Sequence, residues 1–342
     1  MDGLLSKYYP ELKEYLLSTD KIKFYAGIFA LFAGLFDGGH TGILSGFLDL
    51  YFAVIAHANK SWFYELMEKY ENGYKDKDKI YDACAQSRYE VFEQPRFNYY
   101  LRDRSAAIAY IGFNSFDVDY RAWKRYYTTS IGDSPVETDT FAFVLSKLKQ
   151  AKEDNVKTII FDLTTNGGGD TNALNGLIAV LNHGKSTFKT YNCVNDYFVT
   201  EKYEIDANLD GVFDEKDVEL VDSFDFNVGI LTSGYSFSCA NLFPSMCKDL
   251  GYKIIGQQSG GGSCAISIES TVEGIAYVRS SHLCFYNEAG QNVDAGVPVD
   301  YEIEIKDRGD DLFGDALDFY NFDLMSSIFQ WLGFDVSFAP FN

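Results

Sequence analysis

From Ala106 onward the chain alternates short apolar runs with amphipathic stretches: AAIAYIGFNSF, FAFVLSKLKQAKED, KTIIFDL, TNALNGLIAVLNH, NVGILTSG, ANLFPSMCKDL and YKIIGQ. The short runs, rich in isoleucine, valine and aromatics, read as buried strands, and the longer segments carry apolar residues at helical spacing. This alternation restricts the chain to an α/β fold with a mainly parallel sheet and right-handed crossovers, because parallel neighbours need a helix-length connection. Residues 4 to about 100 read instead as helices joined by polar, tyrosine-rich connections such as ENGYKDKDKIYD. The expected organisation is an N-terminal helical region over 1–104, a core over 105–310 and a C-terminal helical tail over 311–342.

With 342 residues, 46% hydrophobic and 17% aromatic, the chain can bury a large core. Its net charge of −21 argues against nucleic acid or an anionic membrane as a partner. FYAGIFALFAGLF, bounded by Lys23 and Asp37, is too short to span a bilayer and is expected to be a buried helix. The N-terminal MDGLLSKYYPELKEY reads as an amphipathic helix and not a signal peptide. An extracytoplasmic destination is expected, with a leader already removed; a cytoplasmic one is the alternative. Six cysteines (84, 193, 239, 247, 264 and 284) form no CxxC, so zinc is not expected, and their pairing stays open. Oligomeric state is not legible.

The chemistry concentrates where TSGYSFSCANLF joins a strand to a helix. Ser238 stands at that junction, where the free N–H groups of a first helical turn can stabilise an oxyanion. The plainer reading is an N-cap serine. Cys239 beside it is the alternative nucleophile on chemical grounds alone.

Three further segments accompany the serine turn: DLTTNGGG (Asp162 to Gly169), GQQSGGG and DAGVPVDYEIEI. In order and approximate spacing the set resembles the S41 peptidases, the tail-specific or C-terminal-processing protease family. Its members carry DLRxNxGG, a serine turn resembling SASAxE, GExTxGK or GExTGGG, and GVxPD. DGGHT (Asp37 to Thr41) resembles the DGHT segment of the tricorn-like, retinoid-binding-protein-like branch. The resemblance spans roughly residues 10 to 305. It implies a crotonase/ClpP-like spiral ββα core, a peptide or protein substrate and a nucleophile at Ser238. One amide from Gly167 or Gly168 and that of Cys239 would complete the oxyanion hole; glycine there lets backbone approach a substrate carbonyl.

Departures from the pattern are informative. The lysine base of the processing proteases would fall near Gly262, where the sequence is SGGGSC, so a Ser-Lys dyad is not expected. Asn241 stands where many members have glutamate, and Thr164 replaces the arginine of DLR. Members without the lysine use a histidine, and His40 matches that motif. An imidazole can take the serine proton and return it to the leaving amine near neutral pH. The other histidines lie in a helical run (His57), a polar turn (His183) and a strand (His282). The resemblance, in which tricorn-like members place an acid before GVxPD, implies Asp294 as the carboxylate orienting His40, with Glu269 and Glu273 as runners-up; an ordinary turn carboxylate is the alternative for each. The segment from His40 to Ala106 is too short and helical for the PDZ domain of many relatives. GGGD lacks the lysine and glycine spacing of a phosphate loop. A non-catalytic binding protein on the same scaffold is the alternative function.

DANLDGVFDEKD carries an independent signal. Asp206, Asn208, Asp210, Asp214 and Asp217 occupy positions 1, 3, 5, 9 and 12 of a calcium loop, Gly211 position 6, and the Val212 carbonyl position 7. The terminal aspartate resembles the dockerin form. A chance acidic turn is the alternative. The expectation is one structural Ca²⁺ and no cofactor for catalysis.

Overall fold

The computed structural model describes residues 3–44, 48–93, 97–101, 108–129, 138–306 and 314–334. Ala106 and Ala107 of the expected first core strand, and residues 311–313 and 335–342 of the expected tail, lie outside them. In chain order the strands are β1 (Gly42–Ile43), β2 (Phe97–Leu101), β3 (Ile108–Phe113), β4 (Thr158–Asp162), β5 (Lys185–Asn192), β6 (Tyr197–Glu204), β7 (Asn227–Thr232), β8 (Lys253–Gly256), β9 (Cys264–Ser270), β10 (Ala276–Phe285) and β11 (Tyr301–Glu302). The chain divides into two compact units: Met1–Asp78 with Cys264–Cys284, and Lys79–Ser263 with Phe285–Asn342.

The larger unit is built on a six-stranded sheet of order β11-β8-β7-β4-β3-β2. Five strands run parallel, and β2 lies antiparallel to β3 at one edge. Side chains alternate between two apolar layers: Ile111, Phe161, Ile230 and Ile254 enter one, and Tyr110, Ile160, Leu231 and Ile255 the other. Burial on both faces is why these strands read as continuous apolar runs. The first layer includes buried residues of the helices Thr140–Glu153, Thr171–Leu181 and Cys239–Asp249. Two of these start where the Asp139 and Asp170 side chains accept from Ala142 N (2.9 Å) and Asn172 N (2.8 Å), which satisfies otherwise orphaned donors.

The second layer includes Cys84 and Phe92 of the helix Ser61–Phe92, and Phe319, Tyr320, Met325 and Phe329 of the C-terminal segment. Tyr110 Oη donates to the Phe319 carbonyl at 2.9 Å. Residues 316–329, read from sequence as part of a tail, thus belong to the core of this unit. The fold class is α/β, as the alternation requires.

Two hairpins go beyond the sequence reading, which had only the strand around His282 of the second. β5 and β6 pair from Lys185↔Glu204 to Asn192↔Tyr197, and β6 is largely exposed. β9 and β10 form the other. The residues before Ala106 are likewise not wholly helical, since β2 adds to the sheet and β1 pairs with β10.

The smaller unit packs the helices Tyr9–Leu16, Lys21–Gly34 and the start of Ser61–Phe92 around Leu12, Tyr15, Ala26, Ala30, Phe63 and Leu66. Asp20 caps the apolar Lys21–Gly34 helix by accepting from Lys23 N at 3.0 Å. That helix is buried as expected: Tyr25, Ala26, Ile28, Ala30, Phe32 and Ala33 are all in the core. Among the described residues no helix is long and apolar enough to cross a membrane.

Candidate active site

Ser238 occupies the junction between β7 and the helix Cys239–Asp249, with φ 56° and ψ −123°. A serine rarely adopts this backbone, which costs on the order of 1–3 kcal/mol unless its surroundings enforce it. The surroundings do. Ser233 Oγ donates to the Thr164 carbonyl (2.6 Å) and Ser236 Oγ to the Leu163 carbonyl (2.7 Å), and Ser238 N donates to the Gly261 carbonyl (3.0 Å). Although it is the N-cap residue, Ser238 makes no side-chain cap bond. The plain capping role is therefore not what its hydroxyl does. Ser236 is fully buried and its hydroxyl committed, so it is a brace of the turn. A strained strand-to-helix elbow whose serine makes no cap bond to its helix resembles the nucleophile elbow of serine hydrolases.

Cys239 is not a competitor. Its side chain is buried, its Sγ faces the Gly169 carbonyl at 3.1 Å, and burial, aided by the Asp170 charge, pushes the thiol up to about 12. A neutral thiol is a poor nucleophile.

Opposite the elbow lies the glycine turn of DLTTNGGG. Asn166, fully buried, accepts from Gly168 N (2.8 Å) through Oδ1 and donates from Nδ2 to the Phe113 carbonyl (2.8 Å). The Gly168 amide is thus engaged, while those of Gly167 and Cys239 have no acceptor among the described residues. Gly168 has φ +106°, and a Cβ there would stand 2.6 Å from Ser238 Cβ and 3.0 Å from Cys239 N. Only glycine lets this backbone lie against the serine.

Asp162 begins the same turn and is buried. It accepts from Thr164 N (3.0 Å) and Thr164 Oγ1 (2.6 Å), and Arg88 Nη1 donates to its Oδ2 at 3.3 Å. Arg88, also buried, reaches Asn114 Oδ1 at 2.9 Å. Burial pulls the Arg88 guanidinium down, but the Asp162 charge and hydrogen bond together with Tyr320 and Tyr81 outweigh it, and the net shift is upward. The cation missing from DLT therefore comes from the helix Ser61–Phe92, 74 residues earlier, which the sequence reading did not find. Arg88→Met should cost about 3–5 kcal/mol in a urea melt, because it strands a buried carboxylate. Loss below about 1 kcal/mol would mean the pair is dispensable.

Asn241, also buried, donates to the Val293 carbonyl (2.9 Å) and accepts from Ser259 Oγ (2.7 Å), which in turn accepts from Val297 N (2.8 Å). The serine helix, the GQQSGGG turn and the GVP segment are thereby joined by one polar network.

In the smaller unit, DGGHT forms a turn wound on Asp37. Asp37 Oδ1 accepts from His40 N (3.0 Å) and Thr41 N (2.8 Å), and Oδ2 from Thr41 Oγ1 (2.7 Å) and Ser280 Oγ (2.6 Å). Burial pushes this carboxyl up, but the hydrogen bonds from Ser280 and Thr41 outweigh it and hold the group below its usual value. Lys77 Nζ donates to the Gly38 carbonyl, and burial pulls its ammonium down to about 8. His40 is buried. The other histidines have local partners or surroundings: His57 Nδ1 lies 3.0 Å from the Ala53 carbonyl, His183 Nδ1 is 2.7 Å from Asp222 Oδ1, and His282 lies exposed on β10.

Asp294 Oδ1 accepts from Ser263 N (2.8 Å) and Ser263 Oγ (3.1 Å) in the larger unit. Of the runners-up, Glu269 is engaged by Arg279 (2.5 Å) and Tyr277 Oη (2.8 Å), and Glu273 is exposed.

In the acidic loop, Asp206 accepts from Asp210 N (3.1 Å), Gly211 N (2.8 Å) and Tyr127 Oη (2.9 Å). Asn208 Oδ1 accepts from Asp210 N (2.9 Å) and Asp210 Oδ1 from Val212 N (2.9 Å). Asp217 accepts from Asn208 N (3.0 Å) and Asp214 N (2.9 Å), and with Asp214 forms the capping box of the helix Glu215–Asp222. Among the described residues no group of three or more His, Cys, Asp or Glu side chains is disposed to hold a metal ion.

An α/β sheet carrying a serine elbow against a glycine turn defines a hydrolase-type site. The sequence profile of peptidase family S41 matches residues 107–303, more than half of the chain, and the chain belongs to that family. No curated protein matches it in sequence. Among solved structures, a Parabacteroides merdae protein assigned as a peptidase is 19% identical over 89% of this chain and 82% of its own, with a TM-score of 0.51. A Bacteroides fragilis protein assigned as an S41 protease is 13% identical over 70% of this chain and 57% of its own, with a TM-score of 0.46. The photosystem II D1 C-terminal processing protease is 13% identical over 63% of this chain, with a TM-score of 0.43, and the chain spans half of its length.

Proposed function

We propose that this protein is a serine endopeptidase of the lysine-lacking, tricorn-like branch of S41, cutting peptides or unfolded protein tails. The reading rests chiefly on Ser238, a serine held at φ 56° whose hydroxyl makes no cap bond, with the amides of Gly167 and Cys239 beside it lacking an acceptor among the described residues. In the proposed cycle Ser238 Oγ attacks the scissile carbonyl while His40 takes its proton. The oxyanion is held by the amides of Gly167 and Cys239. Collapse expels the amine, which takes the proton from His40, and water then hydrolyses the acyl-enzyme with His40 again as base. Asp294 orients the imidazole; Ser263 engages its Oδ1, and Oδ2 is the oxygen assigned to the ring. The scaffold is read as the crotonase-like spiral, and the site of action as extracytoplasmic.

A fluorophosphonate probe tests the reading. Its adduct should map by mass spectrometry to the peptide containing Ser238 and to no other serine; labelling elsewhere, or none, would favour a binding protein on this scaffold.

We also propose that residues 206–217 bind one Ca²⁺ in a structural role. The support is the donor set: five side chains with oxygen at calcium-loop positions, a Gly211 φ of +83° at the turn, and backbone N–H groups already converging on Asp206 and Asp217. Carboxylates so placed repel one another without a cation. Binding to the native state alone adds about 2.7 kcal/mol at a hundredfold excess over Kd, so EGTA should lower Tm and added calcium restore it. A melt indifferent to both, with no metal in the purified protein, would leave an acidic loop whose Asp214 and Asp217 merely cap a helix.

A further inference from the structure

Two cysteines stand in register on the β9–β10 hairpin. Cys264 and Cys284 are direct cross-strand partners, and their sulfurs lie 3.1 Å apart. Both are half-buried, so a small reagent can reach them. They are also the first and last residues of the segment that the hairpin contributes to the smaller unit. Just outside them, Phe285 N donates to the Ser263 carbonyl at 2.8 Å, which keeps the two chains side by side at the root of the hairpin.

We infer that Cys264 and Cys284 are a thiol-oxidation site, joined into a disulfide by a disulfide-class oxidant such as oxidised glutathione. Directly opposed residues of an antiparallel pair lie about 4.5–5.5 Å apart at Cα, inside the span a disulfide bridges. The sulfurs need approach by only about 1 Å to bond. One thiolate attacks the glutathione disulfide, forming a mixed disulfide and releasing one glutathione thiolate. The second thiolate attacks the protein-bound sulfur and displaces the other glutathione. The oxidant gains two electrons, and the two protons lost by the cysteines appear on two reduced glutathiones.

The bond closes residues 264–284 into a ring at its points of attachment. The ring contains Ser280, whose Oγ donates to Asp37, and Tyr277 and Val278, which pair with β1. Oxidation therefore anchors the strand that supports the Asp37–Thr41 turn. The other cysteines are placed differently: Cys84, Cys239 and Cys247 are buried and Cys193 is exposed, none on this hairpin.

The test treats the purified protein with oxidised glutathione, alkylates remaining thiols, digests with trypsin and compares reduced with non-reduced mass spectra. Cleavage after Lys253, Arg279 and Lys306 places the two cysteines on separate peptides, so the bond appears as the 254–279 and 280–306 peptides linked and separable by reductant. Oxidation should raise Tm on the order of 5 °C for a ring of this size, and the Cys264→Ser/Cys284→Ser protein should lose that difference. Both cysteines recovered alkylated after oxidation, or each carrying only glutathione, would overturn the inference. Linkage to Cys193 instead would overturn it equally. If the double variant fails to fold, the Cys193→Ser protein gives the same readout with the pair intact.

Discussion

Ser238→Ala should reduce peptide hydrolysis on the order of 10⁴- to 10⁶-fold and abolish fluorophosphonate labelling, with stability within about 1 kcal/mol of the parent. The hydroxyl makes no cap bond, so its removal leaves the elbow's other hydrogen bonds in place. Ser238→Gly sharpens the point. Glycine adopts φ 56° without a Cβ penalty, so this variant should be at least as stable as the parent, by up to about 1 kcal/mol, and equally inactive. Strain and activity would then be separated at one position. Retained turnover in both variants would remove Ser238 from the chemistry. Loss of turnover in Ser236→Ala alone would be read as a broken turn, because that hydroxyl braces the Leu163 carbonyl.

His40→Ala should bring a comparable loss of turnover, and the pH profile identifies the cause. In the parent, kcat/KM should fall as pH drops through the range in which imidazoles titrate, since a protonated ring cannot accept the serine proton. The turn itself does not produce that limb. Asp37 is held below its usual value, so the stability it contributes is fully present above about pH 4 and is lost only as pH falls through its lower folded value. Lys77, pulled down to about 8, stays protonated on Gly38 throughout the acid limb. A His40→Ala protein that keeps the limb would point to another base; one that folds normally and turns over like the parent would sink the assignment.

The sequence by itself determined the α/β class and the family, because both are written in local signals. Apolar runs buried on both faces of a parallel sheet read the same wherever they are met, and Ile159 to Phe161 and Val228 to Leu231 are such runs. Glycine at φ +106°, as at Gly168, has a backbone reason that also shows in sequence. The exposed hairpin strand β6 was not legible, since its outward residues carry no apolar alternation. Tertiary structure alone decided the rest. Asp162 without a neighbouring arginine signals that a buried charge needs a partner, but which cation answers depends on where the helix Ser61–Phe92 passes, and Arg88 is 74 residues away. Likewise Ser233, Ser236 and Ser238 are one residue type within six positions. Packing alone assigns two of them to bracing carbonyls and sets the third at a backbone angle that turns its hydroxyl away from capping, because hydrogen-bond geometry over long sequence separations has no local signature.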